Sequence, residues 1–158
     1  MSVFITLEGP DGAGKSTQLE LLAQRIRSLG REVVTTREPG GTELGERIRH
    51  LVLGTSGDHD GLVDALLFNA ARRQLVREVI QPGLARGAVV LCDRFADSTL
   101  AYQGFGSGAP LEDLILIAEA ATSGLTPTRT VLFDVDVSAG LARRLGGDHE
   151  ALTKFETS

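Results

Sequence analysis

Apolar positions along the chain fall into two kinds of segment, short continuous runs and longer stretches with helical spacing. The continuous runs cover residues 2–8, 32–36, 88–92 and 129–135, and each has the length and composition of a buried strand. Helical spacing predicts helices over six further segments: 15–30, 43–53, 62–81, 96–103, 111–123 and 138–145. Strands that alternate with helices in this way predict an α/β fold, with a parallel sheet covered by helices on both faces.

Glycine and proline separate these segments. They cluster at five places that we predict to be short loops: Pro39-Gly40-Gly41, residues 54–61, Pro82-Gly83, residues 104–110 and Gly146-Gly147. The sequence contains neither internal repeats nor low-complexity tracts, and its 158 residues are 42% hydrophobic. We therefore expect one globular domain over residues 1–158.

The stretch GPDGAGKST, from Gly9 to Thr17, places glycines directly before a lysine and two hydroxyls. It fits the P-loop pattern G-x-x-x-x-G-K-[ST], in which backbone amides surround phosphates, the lysine neutralises them and the hydroxyl binds Mg²⁺. The predicted strand ends just before it and the predicted helix begins at its lysine, so the helix N-terminus adds partial positive charge at the same point. A flexible turn is the alternative interpretation, but it gives no reason for the Lys-Ser-Thr sequence.

Net charge and cysteine content argue against some classes of protein. The formal net charge of −5 argues against a non-specific nucleic-acid or membrane-surface binder, because those proteins need a basic surface. Cys92 is the one cysteine and lies in an apolar run, which indicates core packing in a reducing compartment. We expect a cytoplasmic protein, since the first residues run directly into the predicted strand without a leader segment or a membrane-spanning stretch.

Polar residues follow the second and third predicted strands. Arg37 and Glu38 come after the second, and Asp93 and Arg94 come after the third. Ligands of open parallel sheets bind at the carboxyl ends of the strands, so both arginines are expected to face the P-loop. Arginine binds phosphate through two parallel hydrogen bonds, which favours a second phosphate-bearing substrate there. The alternative is that Arg37–Glu38 and Asp93–Arg94 are solvated loop pairs.

Two helical segments carry a further polar and aromatic set. Phe68 and Arg72 lie four residues apart on one helix face, as do Thr99 and Gln103 on another, with Tyr102 beside them. An aromatic face with amide, hydroxyl and guanidinium groups suits a flat heterocycle with polar edges. Taken alone, the Phe68–Arg72 pair is more typical of a core edge with an exposed arginine head.

Five stretches in order resemble the bacterial thymidylate kinase family, which transfers the γ-phosphoryl group of ATP to dTMP. They are LEGPDGAGKSTQ, TREPGGT, LLFNAARRQ, DRFADSTLAYQG and GLTPTRTVLFDVD. The resemblance spans about residues 2–145 and implies a three-layer α/β/α P-loop fold. It also implies a homodimer formed through helical faces, with ATP, dTMP and Mg²⁺ as ligands.

The resemblance assigns roles to individual residues. It implies that Phe68 stacks on thymine, that Arg72 reaches a thymine carbonyl, and that Thr99 and Gln103 contact its remaining polar edge. Tyr102 would exclude a 2′-hydroxyl. The sugar and acceptor side would be lined by Asp11, Glu38 and Arg49. The dTMP phosphate would be held by Arg37 and Arg94.

The ATP side follows in the same way. The resemblance implies that ATP is bound by Gly9, Pro10, Asp11, Gly12, Ala13, Gly14, Lys15, Ser16, Thr17 and Arg143. Catalysis is expected from Lys15, Arg37, Asp93 and Arg94, with Ser16 and Asp93 at the Mg²⁺. A phosphomonoester has its second pKa near ~6, so no strong general base is needed to ionise the nucleophile.

The sequence also departs from the family pattern. Some relatives have an arginine at the position of Gly12, so the corresponding cation is expected from a lid at about residues 143–158. In that lid, Lys154 within Thr153–Glu156 stands where the family has an arginine. The sequence stops at Ser158, where the family continues through a further helix, strand and helix. We expect these to be missing, which leaves an edge at the 129–135 strand.

Three other functions are alternatives to this interpretation. A catalytically impaired nucleotide-binding fragment would bind ligands without turnover. A kinase for another nucleoside monophosphate would keep the P-loop but would not need the set around Phe68 and Arg72. A GTPase is suggested by the D-x-x-G match at Asp58–Gly61, but that match precedes a helix and no N-K-x-D motif occurs.

Overall fold

Four parallel strands make up the sheet of this protein, in a computed structural model that describes residues 2–54 and 60–145. The strands are β1 (Val3–Glu8), β2 (Val33–Arg37), β3 (Val89–Asp93) and β4 (Arg129–Leu132), and their order is β2-β3-β1-β4. The P-loop strand β1 is therefore central, with β3 on one side and β4 on the other. β4 is exposed at all four residues and forms an edge of this sheet.

Seven α-helices are found in the described parts of the chain. Their bounds are α1 Lys15–Ser28, α2 Glu43–Gly54, α3 Gly61–Leu75, α4 Gln81–Ala85, α5 Ala96–Thr99, α6 Leu111–Thr122 and α7 Val137–Leu145. π-helical turns at Val76–Ile80 and Leu100–Gly106 continue α3 into α4 and extend α5. None of the helices among these residues has the length and apolar character needed to cross a bilayer.

The two faces of the sheet carry separate cores, because successive side chains of a strand point to opposite sides. On one face, Val89 and Leu91 of β3 pack with Leu19 and Ala23 of α1. On the other face, the neighbouring strand residues pack against the helix that runs through Leu75 and Ile80. That core consists of Phe4, Leu75, Val76, Ile80, Val90, Cys92 and Phe95. The buried free thiol of Cys92 confirms its prediction as a core residue.

The predicted loop at Pro82-Gly83 is wrong, since both residues lie inside α4. Pro82 occupies the first turn of α4, directly after a π-helical turn, where its missing N–H disrupts the helix least. Gly83 allows close packing: a Cβ there would lie 3.1 Å from Val90 Cγ2 and 3.3 Å from Val34 Cγ2, closer than ordinary van der Waals contact. In the sequence, a glycine that lets a helix approach the sheet looks the same as a glycine that marks a turn.

Two other boundaries differ from the prediction. The helix predicted over 96–103 continues to Gly106, because Gly104 gives room to Leu111, whose Cδ2 would lie 2.6 Å from an added Cβ. The strand predicted over 129–135 ends at Leu132, which pairs with Glu8. β1 ends at Glu8, so β4 has no strand partner beyond that point.

Strand register explains where the site forms. Leu7 of β1 is level with Asp93 of β3, and Asp93 is level with Arg37 of β2. The three carboxyl ends therefore stop side by side, and the residues that follow them meet at one edge of the sheet.

Candidate active site

A cavity of about 530 Å³ opens at the carboxyl ends of the strands. Most of the site residues expected from the sequence line it. They are Asp11, Gly12, Gly14, Lys15, Ser16, Thr17, Arg37, Glu38, Arg49, Phe68, Arg72, Asp93, Arg94, Thr99, Tyr102, Gln103 and Arg143. Gly9, Pro10 and Ala13 are not among its lining residues, and Ala13 is buried beneath the loop. Residues 146–158, including Lys154, lie outside the described residues.

The P-loop has the backbone conformation of an anion site. Gly12 and Gly14 have φ of +74° and +89°, which L-residues with a side chain rarely adopt. Gly14 is the N-cap of α1 and makes no side-chain cap bond. The first amides of α1 therefore remain available, together with the positive end of the helix dipole, for a phosphate.

Lys15 is held across this loop. Its Nζ donates hydrogen bonds to the carbonyls of Gly9 and Pro10, at 3.0 and 2.8 Å, and lies 3.9 Å from Asp11 Oδ1. Burial lowers the pKa of Lys15, and the positive charge of Arg94 acts in the same direction. A bound phosphate would offset both effects by supplying negative charge to a largely desolvated ammonium group.

Ser16 and Asp93 form a pair suited to a hard cation. Ser16 Oγ donates to Asp93 Oδ2 at 2.6 Å, and Asp93 Oδ1 is buried without a hydrogen-bond partner among the described residues. An acceptor oxygen left without a donor is costly to bury, unless a ligand completes it. A hydroxyl and a carboxylate oxygen are the donors that Mg²⁺ and similar cations prefer.

The charged residues after β2 and β3 pair with other parts of the fold. Arg37 bonds to Glu46 of α2 at 3.0 Å, although both side chains remain partly exposed. Arg94 Nη2 donates to Asp11 Oδ1 at 2.8 Å. Glu38 pairs with Arg72 of α3, and Asp93 pairs with Ser16. The alternative that each residue forms a solvated pair with its sequence neighbour is therefore wrong.

Arg72 is fully enclosed rather than exposed at its head. It is 2% exposed, and its guanidinium lies 5.4 Å from the centroid of the Phe95 ring. Its Nη2 lies 2.6 Å from Glu38 Oε2, so a buried ion pair joins the end of β2 to α3. The remaining hydrogen bonds of Arg72 run to Asn69 Oδ1 (2.7 Å), Thr99 Oγ1 (3.0 Å) and the Phe95 carbonyl (3.1 Å).

Gln103 carries an unsatisfied donor at the cavity. Its side chain is 2% exposed, and its Nε2 has no hydrogen-bond partner within the described part of the chain. Phe68, Thr99 and Tyr102 line the same cavity. A planar ligand with a carbonyl on its edge would satisfy the amide and cover the aromatic side chain.

Arg94 stands between this pocket and the P-loop. Its Nη2 also donates to Tyr102 Oη at 3.2 Å, and its guanidinium lies 5.1 Å from the Tyr102 ring centroid. Asp11 accepts from Arg94 and lies near Lys15, so the cations of the two sides meet at one carboxylate.

Comparison with known proteins places this chain in a family. A model of the thymidylate kinase family matches residues 7–158. The chain belongs to that family. It is 55% identical over 141 residues to a thymidylate kinase of Deinococcus radiodurans, a match that covers 89% of this chain and 68% of the relative. It is 51% identical over 154 residues to one from Exiguobacterium sibiricum, covering 97% and 72%.

A solved thymidylate kinase structure has the same fold. The crystal structure of the Ehrlichia chaffeensis enzyme aligns with a TM-score of 0.81 and 41% identity, over 90% of this chain and 81% of that one. The P-loop fold predicted from the family resemblance is thereby confirmed. The chain spans about seven tenths of the length of the D. radiodurans and E. sibiricum relatives.

Gly12, where some thymidylate kinases carry an arginine, lies against α7. A Cβ at Gly12 would lie 2.1 Å from the backbone oxygen of Gly140, and one at Gly140 would lie 3.0 Å from the Asp11 oxygen. Neither position has room for a side chain while the two backbones are this close. Arg143, one turn further along α7, lines the cavity.

Sequence reasoning missed several residues that shape this site, including Pro39 and Leu53 in its lining. Phe95 and Ser98 line the cavity, whereas Glu8 and Asn69 are buried and bond to residues that line it. Two signals were available: a charged residue closing an apolar strand at position 8, and an amide three residues before Arg72 on the same helix face.

Proposed function

We propose that this chain phosphorylates dTMP, using ATP as the phosphoryl donor. The observation that carries the proposal is the position of Asp11 between Lys15 of the P-loop and Arg94 of the pocket side. A phosphate bound at the P-loop and one bound at Arg94 would be brought close together. A kinase that joins two phosphates requires that arrangement.

The pocket is proposed to take thymine. Phe68 supplies an aromatic face, and Arg72 supplies a guanidinium fixed by Glu38 and Thr99. Gln103 supplies an amide donor that has no partner in the described part of the chain. Tyr102 lies beside Arg94, where a nucleotide sugar would join base and phosphate, which supports a role in favouring deoxyribose. Arg49 donates to the Pro39 carbonyl at 3.1 Å and lines the same side.

The chemistry needs positioning more than proton transfer. The acceptor phosphate of dTMP is largely dianionic at neutral pH, because its second pKa is about 6. Lys15, Arg37 and Arg94 are proposed to hold the donor and acceptor phosphates in line and to stabilise the charge that spreads over the transferring group. Arg143 would add positive charge from α7.

Ser16 and Asp93 are proposed to hold Mg²⁺. No cluster of three His, Cys, Asp or Glu side chains suited to a metal occurs within residues 2–54 and 60–145. Mg²⁺ commonly takes one or two carboxylates and completes its shell with phosphates and water, which fits this pair. When bound, the ion would neutralise charge on the ATP phosphates. Asp93 would keep Ser16 oriented toward it.

A homodimer through helical faces is part of the proposal. α3 packs between α2 and α6, and all three helices expose apolar side chains. These are Leu44, Leu51, Val63, Leu66, Leu111, Ile115 and Leu116. Apolar side chains exposed on adjacent helices suit pairing with a second copy of the chain. A cytoplasmic location and the lack of nucleic-acid or membrane partners remain predictions.

One assay tests the function. The chain is incubated with Mg-ATP and with dTMP, dUMP, UMP or AMP in turn, and nucleoside diphosphates are separated by ion-exchange chromatography. We expect dTDP to form fastest by far. Faster phosphorylation of another monophosphate would favour a different acceptor specificity. Calorimetric binding of dTMP without turnover would favour an impaired nucleotide-binding chain.

A further inference from the structure

Glu8 is a buried carboxylate that no step above uses. It ends β1, is 5% exposed and does not line the cavity. Its Oε1 accepts the backbone N–H of Phe95 at 2.7 Å, and its Oε2 accepts the Ser98 hydroxyl at 2.6 Å. Phe95 directly follows Arg94, the arginine proposed to bind the acceptor phosphate, and Ser98 lies four residues after it.

The second of these bonds continues to Arg94. Arg94 Nη1 donates to Ser98 Oγ at 3.2 Å. A hydroxyl has a single hydrogen, and Ser98 directs it to Glu8, so an oxygen lone pair faces the guanidinium. The Glu8 carboxylate therefore sets the donor–acceptor direction of the two hydrogen bonds that run from Arg94 through Ser98 to Glu8.

The first bond acts on the backbone. Arg94 has φ of +68°, a left-handed conformation that is unfavourable for a residue with a side chain. The N–H of Arg94 donates to the Leu7 carbonyl at 2.9 Å, and the following N–H, of Phe95, donates to Glu8. The last two residues of β1 thus fix both peptide groups that flank Arg94.

We propose that Glu8 is a positioning residue that sets the direction of the Arg94 guanidinium toward the acceptor phosphate. The inference rests on the proposed function for the identity of that phosphate. A carboxylate suits the role because it accepts in two directions at once. A glutamine would accept from Phe95 but present an amide to Ser98, where it would compete with Arg94 for the same oxygen.

Kinetics of Glu8→Gln and Ser98→Ala test the proposal, with Glu32→Gln as the matched control. Glu32 is half exposed and pairs with Arg86, away from the cavity. We expect Glu8→Gln to lower kcat/KM for dTMP by about 10- to 100-fold, as a misplaced group does, with KM for ATP nearly unchanged. Ser98→Ala keeps the Phe95 bond and should give a smaller loss of the same kind. Glu32→Gln should match the wild-type chain.

A double-mutant cycle separates positioning from a structural role. If Glu8 acts through Arg94, Glu8→Gln should change kcat/KM for dTMP by less than about twofold in an Arg94→Ala background, because coupled residues are not additive. An equal loss in both backgrounds would overturn the proposal. A Glu8→Gln variant that unfolds more easily than the wild type but has the same kinetic constants would also overturn it.

A measurement without substrate keeps this test independent of the proposed function. NMR of the Arg94 Nε–H group should show a rigid side chain in the ligand-free wild type and a mobile one in Glu8→Gln and in Ser98→Ala. An unchanged Arg94 signal in both variants would contradict the inference. If the signals change while the wild-type chain fails to phosphorylate dTMP, the proposed function fails and the positioning of Arg94 stands.

Discussion

Ser16 Oγ donates a 2.6 Å hydrogen bond to Asp93 Oδ2, which links the first turn of α1 to the end of β3. Asp93→Asn should remove a charged ligand from the proposed Mg²⁺ site while keeping its shape. We expect the Mg²⁺ concentration for half-maximal activity to rise by about 10-fold or more. A titration with Mg²⁺ at fixed ATP measures this. An unchanged Mg²⁺ dependence would remove Asp93 from the metal site.

Lys15→Ala should abolish most phosphoryl transfer. The lysine contacts charge that develops in the transition state, so its loss should lower kcat by about 100-fold or more while dTMP affinity stays near the wild-type value. Steady-state kinetics and calorimetry give the two quantities. A wild-type kcat in the variant would show that the P-loop is not the donor site.

Substitutions of Gln103 and Arg72 should differ in their effect on the stability of the protein. Gln103→Ala should weaken dTMP binding by roughly 1–3 kcal/mol with little loss of stability, because its Nε2 donor has no hydrogen-bond partner among the described residues. Arg72→Ala should weaken binding as well and also lower the free energy of unfolding by about 3–5 kcal/mol, since it leaves Glu38 buried and unpaired.

Calorimetry with dTMP and urea unfolding separate these two effects. ATP affinity serves as the control, and it should be the same in both variants. Unchanged dTMP affinity in both would exclude the two side chains from the thymine pocket. A large stability loss in Gln103→Ala would show that its amide has a structural role.

Glu8 should give stability a defined pH dependence. Burial raises the pKa of Glu8, against the hydrogen bonds from Ser98 and Phe95; Asp97 adds to the rise and Arg94 opposes it. The folded state then holds the proton more tightly than the unfolded chain, whose pKa is near 4.5. This contribution is fully present below that value and is lost as pH rises through the folded pKa.

Urea unfolding of the wild type and of Glu8→Gln, from pH 4 upward by steps, tests that sign. The wild-type free energy of unfolding minus that of the variant should fall as the pH rises above about 4.5. A difference that grows with pH would mean that the hydrogen bonds outweigh burial and lower the pKa of Glu8.

The proposed homodimer predicts that a charge placed at its interface lowers the mass of the protein in solution from that of a dimer to that of a monomer. Leu66→Glu places a charge among the exposed apolar side chains of α2, α3 and α6 and should convert a dimer into monomers. Leu29→Glu, at an equally apolar and exposed position just after α1, should leave the dimer intact. Sedimentation velocity distinguishes the two. A wild-type monomer, or a dimer that persists in Leu66→Glu, would contradict the proposal.

The strands and the P-loop were predictable because each depends on local pattern. β1 and β3 are nearly continuous apolar runs, and the lysine and hydroxyls follow β1 directly, so sequence alone located both. Gly83 and Gly104, both predicted to lie in loops, lie in helices for one reason. Each allows close packing against side chains distant in sequence, and no local signal distinguishes that from a turn.

The hydrogen-bond partners of the charged residues could not be predicted from the sequence, for the same reason. Glu38 and Arg72 are 34 positions apart, and Glu8 and Ser98 are 90 apart. Their pairing follows from strand register and helix placement, which only the folded chain defines. The family resemblance named Arg72 and Gln103 as ligand contacts. It did not reveal that Arg72 is held in a buried ion pair, or that Gln103 Nε2 has no hydrogen-bond partner among the described residues.

The contact of Gly12 with Gly140 bears on how positive charge would reach a bound phosphate. An arginine does not fit at position 12 with the two backbones this close, and Arg143, which we propose as the cation, is carried by α7. A loop-borne cation would stay in place whether or not a nucleotide is present. A helix-borne one would move with α7. In the proposed mechanism, the position of a helix and the supply of a charge are therefore one event.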